Sequence, residues 1–266
     1  MPTAGNILAH FFRFAPERGK VDGDNVGLLA GDSRAEVTKT LIALDATGWT
    51  IGEAIEYGAE LLLVHHPVIH GAISRVNDET ITGRNLLAAL RAGLSVVSMH
   101  TNLDAAADGV NQALAEVCGL RDLSLPDMDA GFYDDGTPYA IGRLGYLAEP
   151  ATLAEYLPVL KSALKSNGLR YHDAGRAVRF VAVCGGSGGG EVRSIFDKGC
   201  DTYVTSDIKY GEFLEAKELG LNLIDADHFC TENVVTAKLL REMLTQFPDV
   251  RTKISERHAQ TAQFFV

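Results

Sequence analysis

The stretch from Leu61 to Pro67 constrains the fold of this chain most, because it joins a buried strand to two histidines. Four consecutive apolar residues, Leu61–Val64, are typical of a parallel strand that is covered on both faces. Pro67 cannot donate a ladder hydrogen bond, so the strand should end near His65 and His66. In open α/β sheets ligands bind beyond the carboxyl ends of strands, which favours a binding role for both imidazoles. The alternative is a pair of surface histidines in a turn.

Strands and helices alternate regularly along the first half of the chain. Strands are predicted at 37–44, 61–64 and 94–99, and helices at 51–57 and 84–92. Such alternation indicates βαβ units and a parallel sheet. The second half repeats this order, with Gly199 at the position of Gly58 and Asp227-His228 at that of His100-Thr101. The sequence therefore predicts an α/β fold of two similar layered domains with mostly parallel sheets.

The segment 120–137 differs in character from the residues around it. It is acidic and rich in glycine, proline and aspartate, which favour turns. We therefore predict a linker or an exposed loop there, and a domain boundary close to it.

The composition restricts the class of protein. An apolar content of 46% is typical of a globular chain. The formal net charge of -11 disfavours nucleic-acid binding, which needs clustered Lys and Arg. The four cysteines form no C-x-x-C pair, which favours a reducing compartment. Because no segment has the pattern of a membrane span or a secretory signal, we predict a cytoplasmic protein with no membrane partner.

Polar clusters follow three predicted strands. They are His65-His66, His100 to Asp104, and Asp227 to Glu232. His228 and Glu232 are spaced i, i+4, so they share one face if a helix begins there. Imidazole and carboxylate together suit Zn, Fe, Mn, Co or Ni. Their number suits two ions that share a carboxylate and a water.

Three of these residues have an ordinary structural alternative. Asp104 could cap a helix that begins near Ala105. Glu232 could be a first-turn acid that the helix dipole stabilises. His100 could bond to backbone in the core, or it could act beside the metal ligands together with Thr101.

The other histidines and one aspartate carry weaker signals. His70 and Asp207 are candidates for substrate contacts. His10, His172 and His258 show no partner pattern in the sequence, so we predict that they lie at the surface.

A glycine-rich loop, Cys184–Glu191, follows one predicted strand and precedes a helix. Backbone N–H groups in this context can hold phosphate, which makes Gly186 and Ser187 candidates for substrate binding. The loop matches neither the P-loop nor the dinucleotide-binding pattern. The alternative is a turn whose glycines let the helix pack close to the sheet.

Five motifs stand in a specific order along the chain: Leu63–Pro67, His100–Asp104, Val183–Gly188, Thr205–Asp207 and His228–Glu232. As a set they resemble the Nif-three-like dinuclear metal-centre family, also known as GTP cyclohydrolase 1 type 2. The resemblance includes 25–28 and 43–47 as well, and so runs nearly end to end. It implies two α/β domains, 1–125 with 226–266 and 126–225, in a ring-shaped homohexamer.

The resemblance also implies a site and an activity. The ligands of two divalent metal ions would be His65, His66, Asp104, His228 and Glu232, with Glu232 contacting both ions. The implied reaction is hydrolysis of a nucleotide or heterocycle, in particular ring opening of GTP by metal-activated water. The alternatives are a non-catalytic ring protein that binds or delivers metal, and a two-metal phosphoesterase. Because adjacent strand residues point to opposite faces, we expect His65 and His66 to serve different ions.

Overall fold

The computed structural model describes residues 1–265. The α-helices are α1 (Ala4–Phe14), α2 (Gly48–Tyr57), α3 (Ile81–Arg91), α4 (Thr101–Ala105), α5 (Val110–Val117), α6 (Leu153–Leu164), α7 (Val192–Asp197), α8 (Tyr210–Leu219), α9 (His228–Glu232) and α10 (Val235–Gln246). The β-strands are β1 (Gly27–Ala30), β2 (Lys39–Asp45), β3 (Leu61–His66), β4 (Ser95–Ser98), β5 (Leu120–Ser124), β6 (Gly131–Phe132), β7 (Pro138–Tyr139), β8 (Arg143–Ala151), β9 (Arg170–His172), β10 (Val178–Ser187), β11 (Thr202–Ser206), β12 (Asn222–Asp225) and β13 (Arg251–Ile254).

Contacts within the chain divide it into two units. Unit 1 consists of Met1–Leu103 and Thr236–Ala259, and unit 2 consists of Asp104–Val235 and the residues from Gln260 onward. These limits differ from the predicted ones at 125 and 226. The segments 104–125 and 226–235 belong to unit 2 because β5 pairs with β8, while α5 and α9 pack on β10. The segment 120–137, predicted as a linker or an exposed loop, supplies β5 and β6, and most of its residues are exposed.

The sheet of unit 1 has the strand order β1-β4-β3-β2-β13. Its strands are parallel except for β1, which closes one edge antiparallel to β4. Leu61 to Val64 are completely buried, as the unbroken apolar run predicts. Strand β3 is the central strand of this sheet, and burial of each such leucine or valine contributes roughly 1.5–3 kcal/mol to the core that supports the histidines.

Strand β3 extends further than the sequence predicts. Its pairing with β2 continues to the pair Asp45 and His66, so both histidines still belong to the strand. Consecutive strand residues point to opposite faces, and here they differ in exposure. His65 is fully buried, whereas the His66 side chain is 14% exposed.

The sheet of unit 2 has the order β5-β8-β10-β11-β12-β9. Its centre, β10-β11-β12, is parallel, and the flanking strands run antiparallel. The element order β10-α7-β11-α8-β12 repeats that of β2-α2-β3-α3-β4, as predicted. Gly58 and Gly220 each end a helix in the left-handed conformation. The predicted α/β class with mostly parallel sheets is confirmed.

The helices are short compared with a membrane span. The longest described ones, α6 and α10, have 12 residues each. A span requires about 20 predominantly apolar residues. Within residues 1–265, no helix therefore combines the length and the apolar character needed to cross a membrane.

A buried glutamate attaches the C-terminal part of unit 1 to α2. The Glu53 carboxylate accepts hydrogen bonds from Lys253 Nζ at 3.0 Å, Ser255 Oγ at 2.5 Å, and the backbone N–H groups of Glu256 and Arg257 at 3.1 and 3.2 Å. Burial alone raises the pKa of Glu53, but these donors outweigh it and lower the pKa from 4.5 to about 2. The ionised carboxylate therefore stabilises the folded chain.

Replacement of Glu53 by glutamine should destabilise the protein by about 3 kcal/mol at neutral pH, because a pKa shift from 4.5 to about 2 corresponds to roughly that free energy. The stabilisation is fully present above the unfolded pKa of 4.5 and disappears as the pH falls through about 2. Denaturant unfolding of both proteins between pH 7 and pH 2 should show curves that converge in acid. Glu56→Gln, on the same helix but exposed, is the control and should change little. A pH-independent difference for Glu53→Gln would contradict this account.

Candidate metal centre

Three histidines of unit 1 come together at the carboxyl ends of two neighbouring parallel strands. His65 and His66 end β3, and His100 follows β4 directly before α4. Their ligand nitrogens lie within 4.8 Å of one another. The ring centroids of His65 and His66 are 4.8 Å apart, and those of His65 and His100 are 5.2 Å apart. The ends of two neighbouring strands thus bring three histidines together within unit 1.

In each of these rings Nδ1 is hydrogen-bonded to an oxygen atom. The contacts are His65 Nδ1 to the carbonyl of Met99 at 2.8 Å, His66 Nδ1 to Asp45 Oδ1 at 2.7 Å, and His100 Nδ1 to Asp24 Oδ1 at 2.7 Å. Carbonyl and ionised carboxylate oxygens can only accept, so each Nδ1 donates and the lone pair of the neutral ring lies on Nε2. This is the tautomer and the type of oxygen contact that metal-binding histidines use.

Asp24 connects His100 to the start of α4. Besides the His100 ring, its carboxylate accepts from the Thr101 hydroxyl and from the Thr101 N–H at 3.1 Å. Burial alone raises the pKa of Asp24, but His100 and Thr101 outweigh it and hold the pKa far below its usual range. His100 therefore bonds to a carboxylate and not to backbone, and Thr101 bonds to the same group. No sequence signal singles out Asp24.

Two histidines that were predicted at the surface are mostly buried, and each lies against a carboxylate. His258 is 14% exposed, with Nε2 3.0 Å from Asp45 Oδ2. His10 is 13% exposed, with Nε2 2.6 Å from Glu242 Oε1. The surface prediction is wrong for both, because each partner lies far away in the sequence and leaves no local pattern.

Unit 2 contributes a histidine and a glutamate on the short helix α9. His228 begins this helix and Glu232 ends it, so the predicted i, i+4 spacing is helical. His228 Nε2 lies 3.0 Å from Glu232 Oε2, and its Nδ1 donates to Asp207 Oδ2 at 2.7 Å. Burial alone lowers the pKa of His228, but Glu232 and Asp207 outweigh it and raise the pKa to about 9. This group of side chains therefore favours positive charge.

Asp104 and Glu232 do not have the ordinary structural roles that the sequence also allows, a helix cap and a first-turn acid. Asp104 lies inside α4, and the next helix begins at Val110 with Gly109 as its cap, so Asp104 is not an N-cap. Glu232 is the last residue of α9 and not a first-turn acid. Both residues are buried, with exposures of 7% and 4%. A buried carboxylate needs a positive or donating group nearby, which is a requirement that a metal ion meets.

The glycine-rich loop packs directly against Glu232. A Cβ atom at Gly186, where φ is +68°, would lie 2.1 Å from Glu232 Oε1 and 3.2 Å from His228 Nε2. Three N–H groups of the loop already donate to side chains of unit 2: Gly185 to Asn111, Gly186 to Thr231, and Gly188 to Thr205. The close approach to Glu232 explains why position 186 is a glycine, but the neighbour that comes close belongs to α9 and not to α7, the helix that follows the loop. A phosphate contact at Gly186 or Ser187 stays a prediction.

The remaining substrate candidates lie at the edges of the two clusters. The His70 ring is 6.3 Å from that of His100, and burial together with the neighbouring His100 lowers the pKa of His70. Asp207 has a positive φ of 54° and holds His228, which gives it a positioning role. Substrate binding by either residue stays a prediction.

Comparisons with known proteins agree with the motifs. The Duf34/NIF3 (NGG1p interacting factor 3) family profile matches residues 2–261. A GTP cyclohydrolase 1 type 2 homolog of Clostridium perfringens is 34% identical over 258 residues, covering 95% of this chain and 91% of the relative. A protein of the same name from Lactococcus lactis is 29% identical and covers 98% of each chain.

Solved structures share the fold over nearly the whole chain. The Staphylococcus aureus hypothetical protein SA1388 has a TM-score of 0.90 at 26% identity, covering 100% of both chains. Reduced HcgD from Methanocaldococcus jannaschii has a TM-score of 0.78 at 28% identity, covering 96% of this chain and 98% of that one. Because the family profile spans almost every residue, the chain belongs to the Duf34/NIF3 family.

Proposed function

We propose that this chain binds two divalent metal ions and uses them to hydrolyse a nucleotide or a related heterocycle. The proposed ligands are His65, His66, Asp104, His228 and Glu232, with Glu232 contacting both ions. The observation that carries the proposal is the oxygen contact at Nδ1 of all three histidine ligands, which leaves Nε2 of each ring as the nitrogen that would bind an ion. At His228 this nitrogen lies 3.0 Å from Glu232 Oε2, so an ion there would replace the proton that the two side chains share.

The donor set indicates the class of metal. Imidazole nitrogens with carboxylate oxygens suit Zn, Fe, Mn, Co or Ni, and availability decides among these as much as affinity does. Both carboxylates are buried, and the His228 site favours positive charge, so the residues present fit divalent cations. Three histidines and two carboxylates are a suitable number of ligands for two metal ions that share one carboxylate.

GTP is the first substrate to test, because the relatives in Clostridium perfringens and Lactococcus lactis carry the name GTP cyclohydrolase 1 type 2 homolog. Bound divalent metal supplies Lewis acidity and lowers the pKa of water. The chain itself contributes the dyad of Asp24 and His100. Asp24 fixes the His100 tautomer, so Nε2 can accept a proton from water and return it to the leaving nitrogen.

The oligomeric state and the cellular compartment are also proposals. We propose a ring-shaped homohexamer because of the family resemblance. We propose a cytoplasmic protein because of its cysteines. Cys118, Cys184, Cys200 and Cys230 are all buried free thiols. Sedimentation of the purified protein measures the oligomeric state directly, and a monomer would contradict the ring.

Metal-reconstituted protein is expected to convert GTP with release of formate, because water adds at purine C8 and a second water hydrolyses the resulting formamide. Formate and inorganic phosphate should be measured in the same reaction, with chelator-treated protein as the control. Phosphate without formate would instead identify a two-metal phosphoesterase. Metal binding with turnover of neither kind would identify a metal-binding or metal-delivery protein.

A further inference from the structure

The Asp45 carboxylate of unit 1 bridges two histidines. Its Oδ1 accepts from His66 Nδ1 at 2.7 Å, and its Oδ2 lies 3.0 Å from His258 Nε2. Both imidazoles are 14% exposed, whereas the Asp45 side chain is 35% exposed. A partly exposed carboxylate with one partner can rotate towards water, but one whose two oxygens are both held keeps its orientation.

His258 reaches Asp45 because the preceding residues are attached to α2. We call Lys253–His258 the C-terminal clasp. Its side chains and N–H groups donate to Glu53, and Arg257 also pairs with Glu56. The parallel pairing of β13 with β2 brings the clasp to the end of the strand that carries Asp45.

The bridge determines which nitrogen of His66 carries the proton. A carboxylate oxygen accepts the Nδ1 proton of His66 at 2.7 Å, which leaves the lone pair of the ring on Nε2. The orientation and basicity of a metal-binding imidazole depend on such a partner.

We propose that the C-terminal clasp is a positioning element for the metal ligand His66. His258 fixes the Asp45 carboxylate, and Asp45 in turn fixes the ring orientation and tautomer of His66. The inference rests on the proposed binding of a divalent cation by His66. It assigns to His258 a role in metal affinity and not in substrate contact.

The test compares His258→Ala, His258→Gln and the wild-type chain for Co²⁺ binding, measured by competition with a chromophoric chelator. His258→Ala should weaken one of the two binding steps by about 3- to 10-fold, which is less than the 10–100-fold effect of a direct partner. It should also shift the visible absorption band of the bound Co²⁺. His258→Gln, whose amide N–H can replace Nε2, should restore both the affinity and the spectrum.

His10→Ala is the matched control, because it removes a similarly buried imidazole–carboxylate pair of unit 1, that with Glu242. This variant should bind Co²⁺ like the wild type. Unchanged affinity and spectrum in His258→Ala would overturn the clasp, and so would equal losses in His258→Ala and His10→Ala or a failure of glutamine to rescue. Wild-type protein that binds no Co²⁺ would overturn the proposed metal centre itself.

Discussion

Replacement of Glu232 by glutamine is expected to lower the bound metal by about one equivalent per chain and to weaken what remains, since a bridging carboxylate serves both ions. A carboxylate offers two anionic oxygens, whereas an amide offers one neutral oxygen and a nitrogen that donates. The substitution also removes the group 3.0 Å from His228 Nε2, the largest influence that raises the pKa of His228. Two effects therefore act on the same site.

Elemental analysis of dialysed, metal-loaded protein measures this effect. Glu155→Gln is the matched control, because Glu155 is a helical glutamate of unit 2 in a capping box, where glutamine also functions. This variant should keep the wild-type metal content. Full occupancy in Glu232→Gln would contradict the bridging assignment, and it would leave Glu232 as a hydrogen-bond partner of His228 only.

The second large effect concerns the two adjacent histidines. His65→Gln and His66→Gln are each expected to remove about one ion per chain, and the double variant should remove both, because two-metal sites need separate ligands for each ion. Both residues lie within β3, yet their rings approach each other, with centroids 4.8 Å apart, so strand alternation alone does not separate them. Their Nδ1 partners do differ, because His65 bonds to the Met99 carbonyl and His66 bonds to Asp45.

Metal content and the Co²⁺ spectrum together distinguish the two sites. The two single variants should retain different Co²⁺ bands, because the ion that remains has different ligands in each. Asn102→Ala is the control for metal loss that results from general destabilisation. It removes a side chain that is also buried and donates to the Ala15 carbonyl. Loss of both ions in either single histidine variant would refute the assignment of each histidine to its own ion.

Local patterns predict much of the fold, because they report on residues a few positions apart. The apolar run Leu61–Val64 indicates a buried strand, and the i, i+4 spacing of His228 and Glu232 indicates a helix. A capping box of Thr152 and Glu155 stands at the start of α6. Each of these features depends on backbone geometry within one or two turns.

The unit boundaries required the tertiary structure. The acidic segment 120–137 has the composition of a linker, yet β5 within it pairs with β8. Composition measures solvent preference, whereas strand pairing depends on a partner elsewhere in the chain. For the same reason the sequence does not show that β3 continues through His66, since the pairing of His66 with Asp45 decides where the strand ends.

The sequence by itself determined the α/β class, the strand ends that carry histidines, and the donor types that suit divalent metals. Only the tertiary structure decided which oxygen holds each ring, because Asp24, Asp45 and His258 lie far from their partners along the chain. A histidine becomes a metal ligand of defined geometry through such contacts. They form between strands and loops that only the folded chain brings together, so no spacing in the sequence records them.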